Sequence, residues 1–494
     1  MHLAFVTTNS KTVRFGVMYL MSYVRSRTDW EVSLLEYKSD DQIEEVVRTL
    51  APDIIGFSAM TGDYKQYTRI NRTLKRSGID FLSIWGGPHP TFSPEIVEDE
   101  GVDAVCIGEG EEALAELCSK WPLEQKDDYA IPNWIFQTPD GLIRNDLRPL
   151  MDLATLPAPD YTMFDLKGKK SVSATLSRGC FYRCTYCFNR NWKKMYASRG
   201  SPIRVYDVDR VIHTLKALKN QCPTVEYVVF HDSVFPSTHE DWVDKLLEQY
   251  GREIGVPFQV NLHPATVSAP LVRKLKKAGG LRVNFSIESG SERIRRDVLD
   301  RHTPDDMIVR AAQTIREAGL ALSIQNMTCL PRETWKDARA TFELNIKCKP
   351  DIAVISKFVP YPKTELAELA IREGYIKDEH FADKIPDNYH WVSLLEFPDE
   401  RDKQKMEFLV NFFTLGTCFR FLKPLIYALI NVKPRPAVVR AYAYMDTHTW
   451  LTVTRQNINQ MRENIEHPVS SKLFLFFRLL VGIIFNRRNP KAYV

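Results

Sequence analysis

Short, unbroken apolar runs recur along the first 121 residues, each pair separated by enough chain for one amphipathic helix: Leu3–Val6, Val32–Leu35, Ile54–Ser58, Phe81–Trp85 and Ala104–Ile107. Apolar runs that do not alternate with polar residues are the mark of strands buried on both faces, and helix-length separators bring such strands back in parallel. The pattern predicts a five-stranded doubly wound parallel sheet. Ligands of such sheets sit beyond the carboxyl ends of the strands. There the chain places Thr7-Thr8-Asn9, Ser58-Ala59-Met60-Thr61, Gly86-Gly87-Pro88-His89-Pro90-Thr91 and Gly108-Glu109-Gly110, with His89 in a loop between prolines.

Residues 134–143 read as a small hairpin around Pro139-Asp140-Gly141. Leu156-Pro157-Ala158-Pro159 follows as a stiff extended linker. A second strand–helix series then begins, with strands expected at 172–177, 227–231, 257–262, 282–287, 321–327 and 352–358. Helices are expected between them, among others at Val208–Leu218, Leu271–Lys277 and Met307–Ala318. Six such units make a parallel sheet that curls, an open partial (βα)6 barrel or a second doubly wound sheet; a closed barrel needs two more. From about residue 396 helical periodicity replaces the strand signal. The fold class is therefore α/β with a mainly helical C-terminal region. The divisions are 1–145, a linker at 146–168, 169–395 and 396–494.

Charge is uneven. Residues 420–494 carry 12 Lys and Arg against Asp446, Glu463 and Glu466, a balance of +9 in a chain whose total is +4. This region also holds the apolar runs Phe421–Ile430 and Leu473–Phe485, the second flanked by Arg487, Arg488 and Lys491. It reads either as an interfacial helix on an anionic membrane or as a helical layer packed on the preceding domain. No run reaches the ~18 apolar residues of a spanning helix, and the N-terminus opens on a strand rather than a signal peptide. The weakly basic total gives no reason to expect nucleic acid. A cytoplasmic location is expected.

Nine cysteines form no regular framework, and three of them stand at 180, 184 and 187, inside Ser177-Arg178-Gly179-Cys180-Phe181-Tyr182-Arg183-Cys184-Thr185-Tyr186-Cys187. Spacings this short let one loop wrap three corners of an iron–sulfur cluster and leave one iron without a protein ligand. A zinc site would need a fourth ligand from a second Cys or His pair, and none is evident.

A motif of this kind, after the first of six strand–helix units, resembles the radical S-adenosylmethionine (SAM) superfamily over about residues 170–370. The resemblance implies a 4Fe–4S cluster on Cys180, Cys184 and Cys187, with SAM on the fourth iron and reductive cleavage to a 5′-deoxyadenosyl radical. It implies SAM contacts from Tyr186, from Asp232 in His231-Asp232-Ser233, from Glu288 and Ser289 in Ser286-Ile287-Glu288-Ser289-Gly290, and from Tyr361 in Pro360-Tyr361-Pro362-Lys363-Thr364. Met327-Thr328-Cys329-Leu330-Pro331-Arg332-Glu333-Thr334 is similar to the family's Gly-Leu-Pro-x-Glu-Thr, with Cys329 where glycine is usual.

The N-terminal domain resembles the cobalamin-binding domain often fused ahead of such enzymes. That implies cobalamin contacts from Ser58, Thr61, Gly86, Gly87, His89, Thr91, Gly108 and Glu109. Its two histidines, His2 and His89, stand outside the cobalt-ligating pattern Asp-x-His-x-x-Gly. No imidazole is therefore expected below cobalt.

Together these features imply a cobalamin-dependent radical SAM enzyme, with methylation of an unactivated carbon in a small-molecule or lipid-like substrate as the leading reaction. A flavodoxin or ferredoxin would supply electrons. The alternatives are ring formation or rearrangement with the same cofactors, a methylthiotransferase, and a non-catalytic cobalamin or iron–sulfur sensor. A methylthiotransferase would bring further cluster cysteines upstream, where only Cys106 and Cys118 stand, both at expected core positions.

Overall fold

The computed structural model describes residues 1–10, 12–377, 381, 385 and 393–431. They fall into two compact units. The first is built from 1–256 with 360–369, 381 and 385; the second from 257–359, 370–377 and 393–431.

The first unit opens with β1 (His2–Thr7), β2 (Glu31–Glu36), β3 (Ile54–Ser58), β4 (Leu82–Gly86) and β5 (Ala104–Cys106), all parallel, in the order β2-β1-β3-β4-β5. Side chains alternate between two cores, as the two-residue period of a strand requires. Leu3, Phe5, Ile54 and Ile84 face one core with the helices Phe15–Arg27 and Glu111–Lys120; Ala4, Val6, Ile55, Phe57 and Trp85 face the other with Asp40–Leu50 and Tyr64–Arg76. Helices on both faces make the sheet doubly wound, as expected.

The sheet has seven strands rather than five. The expected hairpin, β6 (Trp134–Thr138) and β7 (Gly141–Arg144), joins it antiparallel beyond β5. The reason is its own alternation: Trp134 and Phe136 enter one core and Ile135 the other, so β6 is a buried sheet strand. A second correction concerns His89. The segment Pro88–Phe92 is a short helix, entered through Gly87 at φ +92°. Proline suits the first helical position because no hydrogen bond is lost there.

The first unit continues with β8 (Ser171–Ala174), β9 (Ser177–Arg178), β10 (Arg204–Val205) and β11 (Tyr227–Phe230). β8 and β11 pair in parallel, and the helix Val208–Gln221 between them is capped by Asp207. The expected strand at 172–177 is broken in two, because Ser177 and Arg178 leave β8 and pair antiparallel with β10.

The second unit carries β12 (Phe258–Leu262), β13 (Gly280–Glu288), β14 (Ala321–Thr328) and β15 (Ile352–Lys357), each parallel to the next. The helices Ala269–Lys277, Asp305–Glu317 and Trp335–Cys348 connect them. With the helix Glu240–Glu253 after β11 and Glu365–Arg372 after β15, all six expected strand–helix units are present. The C-terminal region contributes the helices Glu400–Val410, Phe413–Cys418 and Lys423–Ile430. In the last, Ile426 and Ile430 are buried, and Lys423 and Tyr427 hold Glu343 at 2.7 Å each. The apolar run Leu473–Phe485 and its basic flank lie outside the described residues.

At the end of β14 the chain turns through Cys329 in the left-handed region, φ +59°, where the related motif has glycine. The turn is held by Glu333, whose Oε2 accepts from Thr328 Oγ1 at 3.1 Å and from the Leu330 amide at 3.0 Å. Burial pushes its carboxyl up to about 8. Between pH 4.5 and about 8 the folded chain therefore keeps a proton that the unfolded chain releases, and stability falls as pH rises through that window. Urea midpoints from pH 6 to 9 should show this slope, and Glu333→Gln, neutral throughout, should remove most of it.

Candidate active site

A cavity of about 330 Å³ opens at the carboxyl edge of the seven-stranded sheet, wholly within the first unit. Phe5 of β1 and Gly56, Phe57 and Ser58 of β3 line it, which places it where the strand order reverses. Gly86, Gly87, Gly108 and Glu109 line it from the next loops, and Thr175, Ser177, Arg178 and Gly179 from the approach to the cysteines. Seven glycines and the rings of Phe15, Tyr19, Trp85, Trp134, Trp192 and Tyr206 make the lining mostly small or flat.

At two of these positions a side chain is resisted. Gly108 has φ +83°, and a Cβ there would fall inside the Tyr196 hydroxyl, which accepts from the Glu109 amide at 3.0 Å. A Cβ on Gly87 would press on the Ala59 backbone. Thr91 supports the same loops, its Oγ1 accepting from the Gly108 amide at 3.1 Å. His89 is buried and stacks on Tyr64, with ring centroids 4.0 Å apart. His2 sits at the amino end of β1, where Nε2 meets Ser33 Oγ at 2.8 Å. Of the eight residues expected to contact cobalamin, Ser58, Gly86, Gly87, Gly108 and Glu109 line the cavity, whereas Thr61, His89 and Thr91 are buried outside its lining.

The cysteine loop leaves β9 through Gly179, φ +93°, where any side chain would overlap the Pro202 carbonyl. Cys184 is buried and Cys180 and Cys187 are half-buried. Burial pushes the Cys187 thiol up, and so do the neighbouring Cys184 and Cys180, while Asn189 lowers it. The three thiols therefore feel one another. Among the described residues no three His, Cys, Asp or Glu groups converge as they would on a single metal ion. A cluster does not require that, because each thiolate takes its own iron. The donor set suits such a group: three soft thiolate ligands on one loop, no histidine among them, beside a glycine-lined space.

The loop is clamped from several sides. Asp232, at the end of β11, is buried and accepts from the Leu176 amide at 3.0 Å and from Ser177 Oγ at 2.5 Å. Burial pushes its carboxyl up to about 6, against these hydrogen bonds. The Leu366 amide donates to the Thr185 carbonyl at 3.0 Å, and Arg190 pairs with Glu365 at 2.6 Å. Phe188 lies between the rings of Phe92 and Tyr361, 4.6 and 5.6 Å away. Half-buried Tyr186 precedes Cys187. In the second unit, Glu288 ends β13 at φ +67° and Ser289 is fully buried, its Oγ accepting from the Ser291 amide at 3.2 Å.

The motif reading did not find the ion network beside the cysteines. Arg178 Nη1 donates to Glu109 at 3.1 Å and Nη2 to Glu111 at 2.5 Å; Arg204 Nη2 donates to Glu109 at 2.5 Å. Arg178 also lies 5.2 Å from the centre of the Tyr19 ring, and Tyr19 stacks on Tyr206. Burial pushes the Glu109 carboxyl up, but the two guanidiniums prevail and hold it below the usual carboxylate range.

The comparisons with known proteins find two domains in order along the chain. The B12 binding domain family matches residues 1–118, and the radical SAM superfamily matches residues 175–344. The chain carries a B12-binding domain followed by a radical SAM domain. It is 28% identical to an uncharacterized methyltransferase of Pyrococcus horikoshii, over 73% of this chain and 79% of that one. It is 22% identical to an anaerobic magnesium-protoporphyrin IX monomethyl ester cyclase of Rubrivivax gelatinosus, over 79% and 71%. Among solved structures, the cobalamin-dependent SAM radical enzyme OxsB, with aqua-cobalamin and SAM bound, shares the fold at a TM-score of 0.63 and 14% identity, over 98% of this chain and 84% of that one. The cofactors of this enzyme class are cobalamin, SAM and a 4Fe–4S cluster. Cys106 and Cys118 are buried, and burial pushes both thiols up to about 12.

Glu109 is nearly buried between two cations. Glu109→Gln should cost about 3 kcal/mol, the lower end for a broken buried pair, because Arg178 keeps Glu111. Chemical denaturation of the variant at pH 7 checks this, and a loss below ~0.5 kcal/mol would show the network to be dispensable.

Proposed function

We propose that the protein is a methyltransferase acting on an unactivated carbon of a small-molecule or lipid-like substrate. The supporting observation is that Gly179, beside the cysteines, lines the same cavity as the glycine turns of the B12-binding sheet, which gives the two cofactors a common chamber. When bound, the cluster with SAM supplies a carbon-centred radical and cobalamin supplies a transferable methyl group.

In this reading Cys180, Cys184 and Cys187 hold the cluster. Ser58, Gly86, Gly87 and Gly108 give the corrin a wall without side-chain bulk. Thr61, His89 and Thr91 hold the loops around it. Glu109 acts by fixing Arg178 and Arg204, since its carboxylate is engaged by both. Asp232 fixes the start of the cysteine loop. Tyr186, Tyr361, Glu288 and Ser289 are proposed to meet SAM. The divisions 1–145, 146–168, 169–395 and 396–494 are kept as the functional ones. A reducing cytoplasmic setting suits nine cysteines without a disulfide. Among the described residues no helix is long and apolar enough to cross a membrane, and peripheral membrane contact through the basic tail is kept as part of the proposal.

The similarity to an anaerobic cyclase supports a second reading, ring formation or rearrangement with the same cofactors. Product mass separates the two, since methylation adds one CH2. Metabolites from cells with and without the gene should differ by a methylated compound. Anaerobically reconstituted protein should hold about four irons and cleave SAM after reduction. Cys184→Ala should lose the cluster's visible absorption and all reductive cleavage; a variant retaining both would overturn the assignment.

A further inference from the structure

The four strands of the second unit have two unlike faces. Asn326 of β14 is buried against the helix Trp335–Cys348, where it exchanges hydrogen bonds with Asn345 at 2.9 and 3.2 Å. Side chains alternate along a strand, so Val260, Val283, Phe285, Ile324 and Ile355 share that helix-covered face, and all are buried. The strand registers set the opposite face in rows. Gln259 stands beside Arg282, and Asn261 beside Asn284 and Ser323. Nearer the carboxyl ends, Ser286 stands beside Gln325 and Val354, and Met327 beside Ser356.

Hydrogen bonds tie neighbours within the rows. Asn284 Nδ2 donates to Asn261 Oδ1 at 3.2 Å, and Ser286 Oγ donates to Gln325 Oε1 at 3.4 Å. The face is not sealed: Asn261, Asn284 and Ser286 are half-buried and Gln325 is exposed. Its composition is not that of a sheet face left to water. Charged residues make up 26% of the chain, yet Arg282 is the one charged side chain in these rows. Met327 and Val354 are the only apolar ones, and the rest are four carboxamides and three serines. Each carboxamide offers both donors and an acceptor, and a few such groups are what fix the orientation of a ligand in its site. Successive residues of a strand are ~3.3 Å apart, so Asn284 stands about 13 Å along β13 from Glu288. The rows toward the amino ends are thus set apart from Glu288 and Ser289, which are proposed to meet SAM.

We infer that this face binds the substrate, and that the bound part of the substrate is a polar group carrying several uncharged hydroxyls or amides. This rests on the methyltransferase reading and narrows it: of small-molecule and lipid-like substrates it keeps the first. An acyl chain or an apolar ring laid on these rows would strip water from seven polar side chains and return no hydrogen bond. Hydroxyls and amides replace that water bond for bond. A site built this way also rejects analogues that lack the matching groups, because its own polar atoms are then left unpaired.

The test uses the full chain, reconstituted with cluster and cobalamin and reduced with titanium(III) citrate. SAM carrying a trideuteromethyl group is supplied with either the aqueous or the chloroform phase of an extract from cells lacking the gene. Mass spectrometry follows the label in wild type, Asn284→Leu and Gln325→Leu. Gln325 is exposed, so the second variant leaves the packing of the sheet intact. The expected product is a labelled compound of the aqueous phase whose fragments carry hydroxyl or amide groups. Each variant should lower labelling about tenfold at low extract concentration and recover as extract is added, the mark of weakened substrate binding. Label confined to the chloroform phase would overturn the proposal, and so would variants that label as wild type does. A fall that added extract does not restore would also overturn it, because the side chains would then serve something other than substrate affinity. SAM cleaved to 5′-deoxyadenosine with no label passed to either phase would instead refute the methyltransferase reading.

Discussion

The ion network of Glu109, Glu111, Arg178 and Arg204 is the constraint around which the first unit is organised. Glu109 follows β5 of the first sheet, Arg178 stands two residues before the first of the three loop cysteines, and Arg204 lies on β10. Charges this buried are tolerated only as partners. The loop after β5 and the approach to the cysteines therefore cannot separate without stranding an ion. The network also explains why Ser177 and Arg178 leave β8: pairing with β10 brings both guanidiniums onto one carboxylate. The relative placement of the glycine turns and the cysteine loop is thereby fixed within this unit.

Around this junction the chain uses glycine and aromatic side chains as complements. Tyr196 occupies the space a side chain at 108 would need, and its hydroxyl is held by the Glu109 amide. The cavity wall thus gains flatness from glycine and rigidity from a ring contributed 88 residues later. Asp232 does the same for the cysteine approach by polar means, holding Leu176 and Ser177 from the next strand of the barrel.

Much of this was legible in the sequence. Apolar runs without alternation located every strand of the first parallel sheet, and the Gly-Gly and Gly-Glu-Gly turns pointed to the edge that carries the cavity. The cysteine spacing singled out the loop that Asp232 and the Leu366 amide hold in place. Sheet membership of the hairpin was less visible, because Trp134, Ile135 and Phe136 can be assigned to cores only once those cores exist. The helix at His89 was hidden by its two prolines, which read as loop until one is seen at a first helical position. Arg178 and Arg204 were not found. Their partner lies 69 and 95 residues away, and no local pattern reports a pair at that distance. Arg178 was inside the motif as quoted; its only signal was a cation held close to thiolates with no acid nearby in sequence.

The glycine before the first cysteine limits how this loop can vary. At φ +93°, with the Pro202 carbonyl where a Cβ would stand, position 179 admits no side chain. The entry to the cysteine loop is thereby tied to the backbone just before β10, and a change that displaces residue 202 also disturbs the turn from which the cysteines are presented.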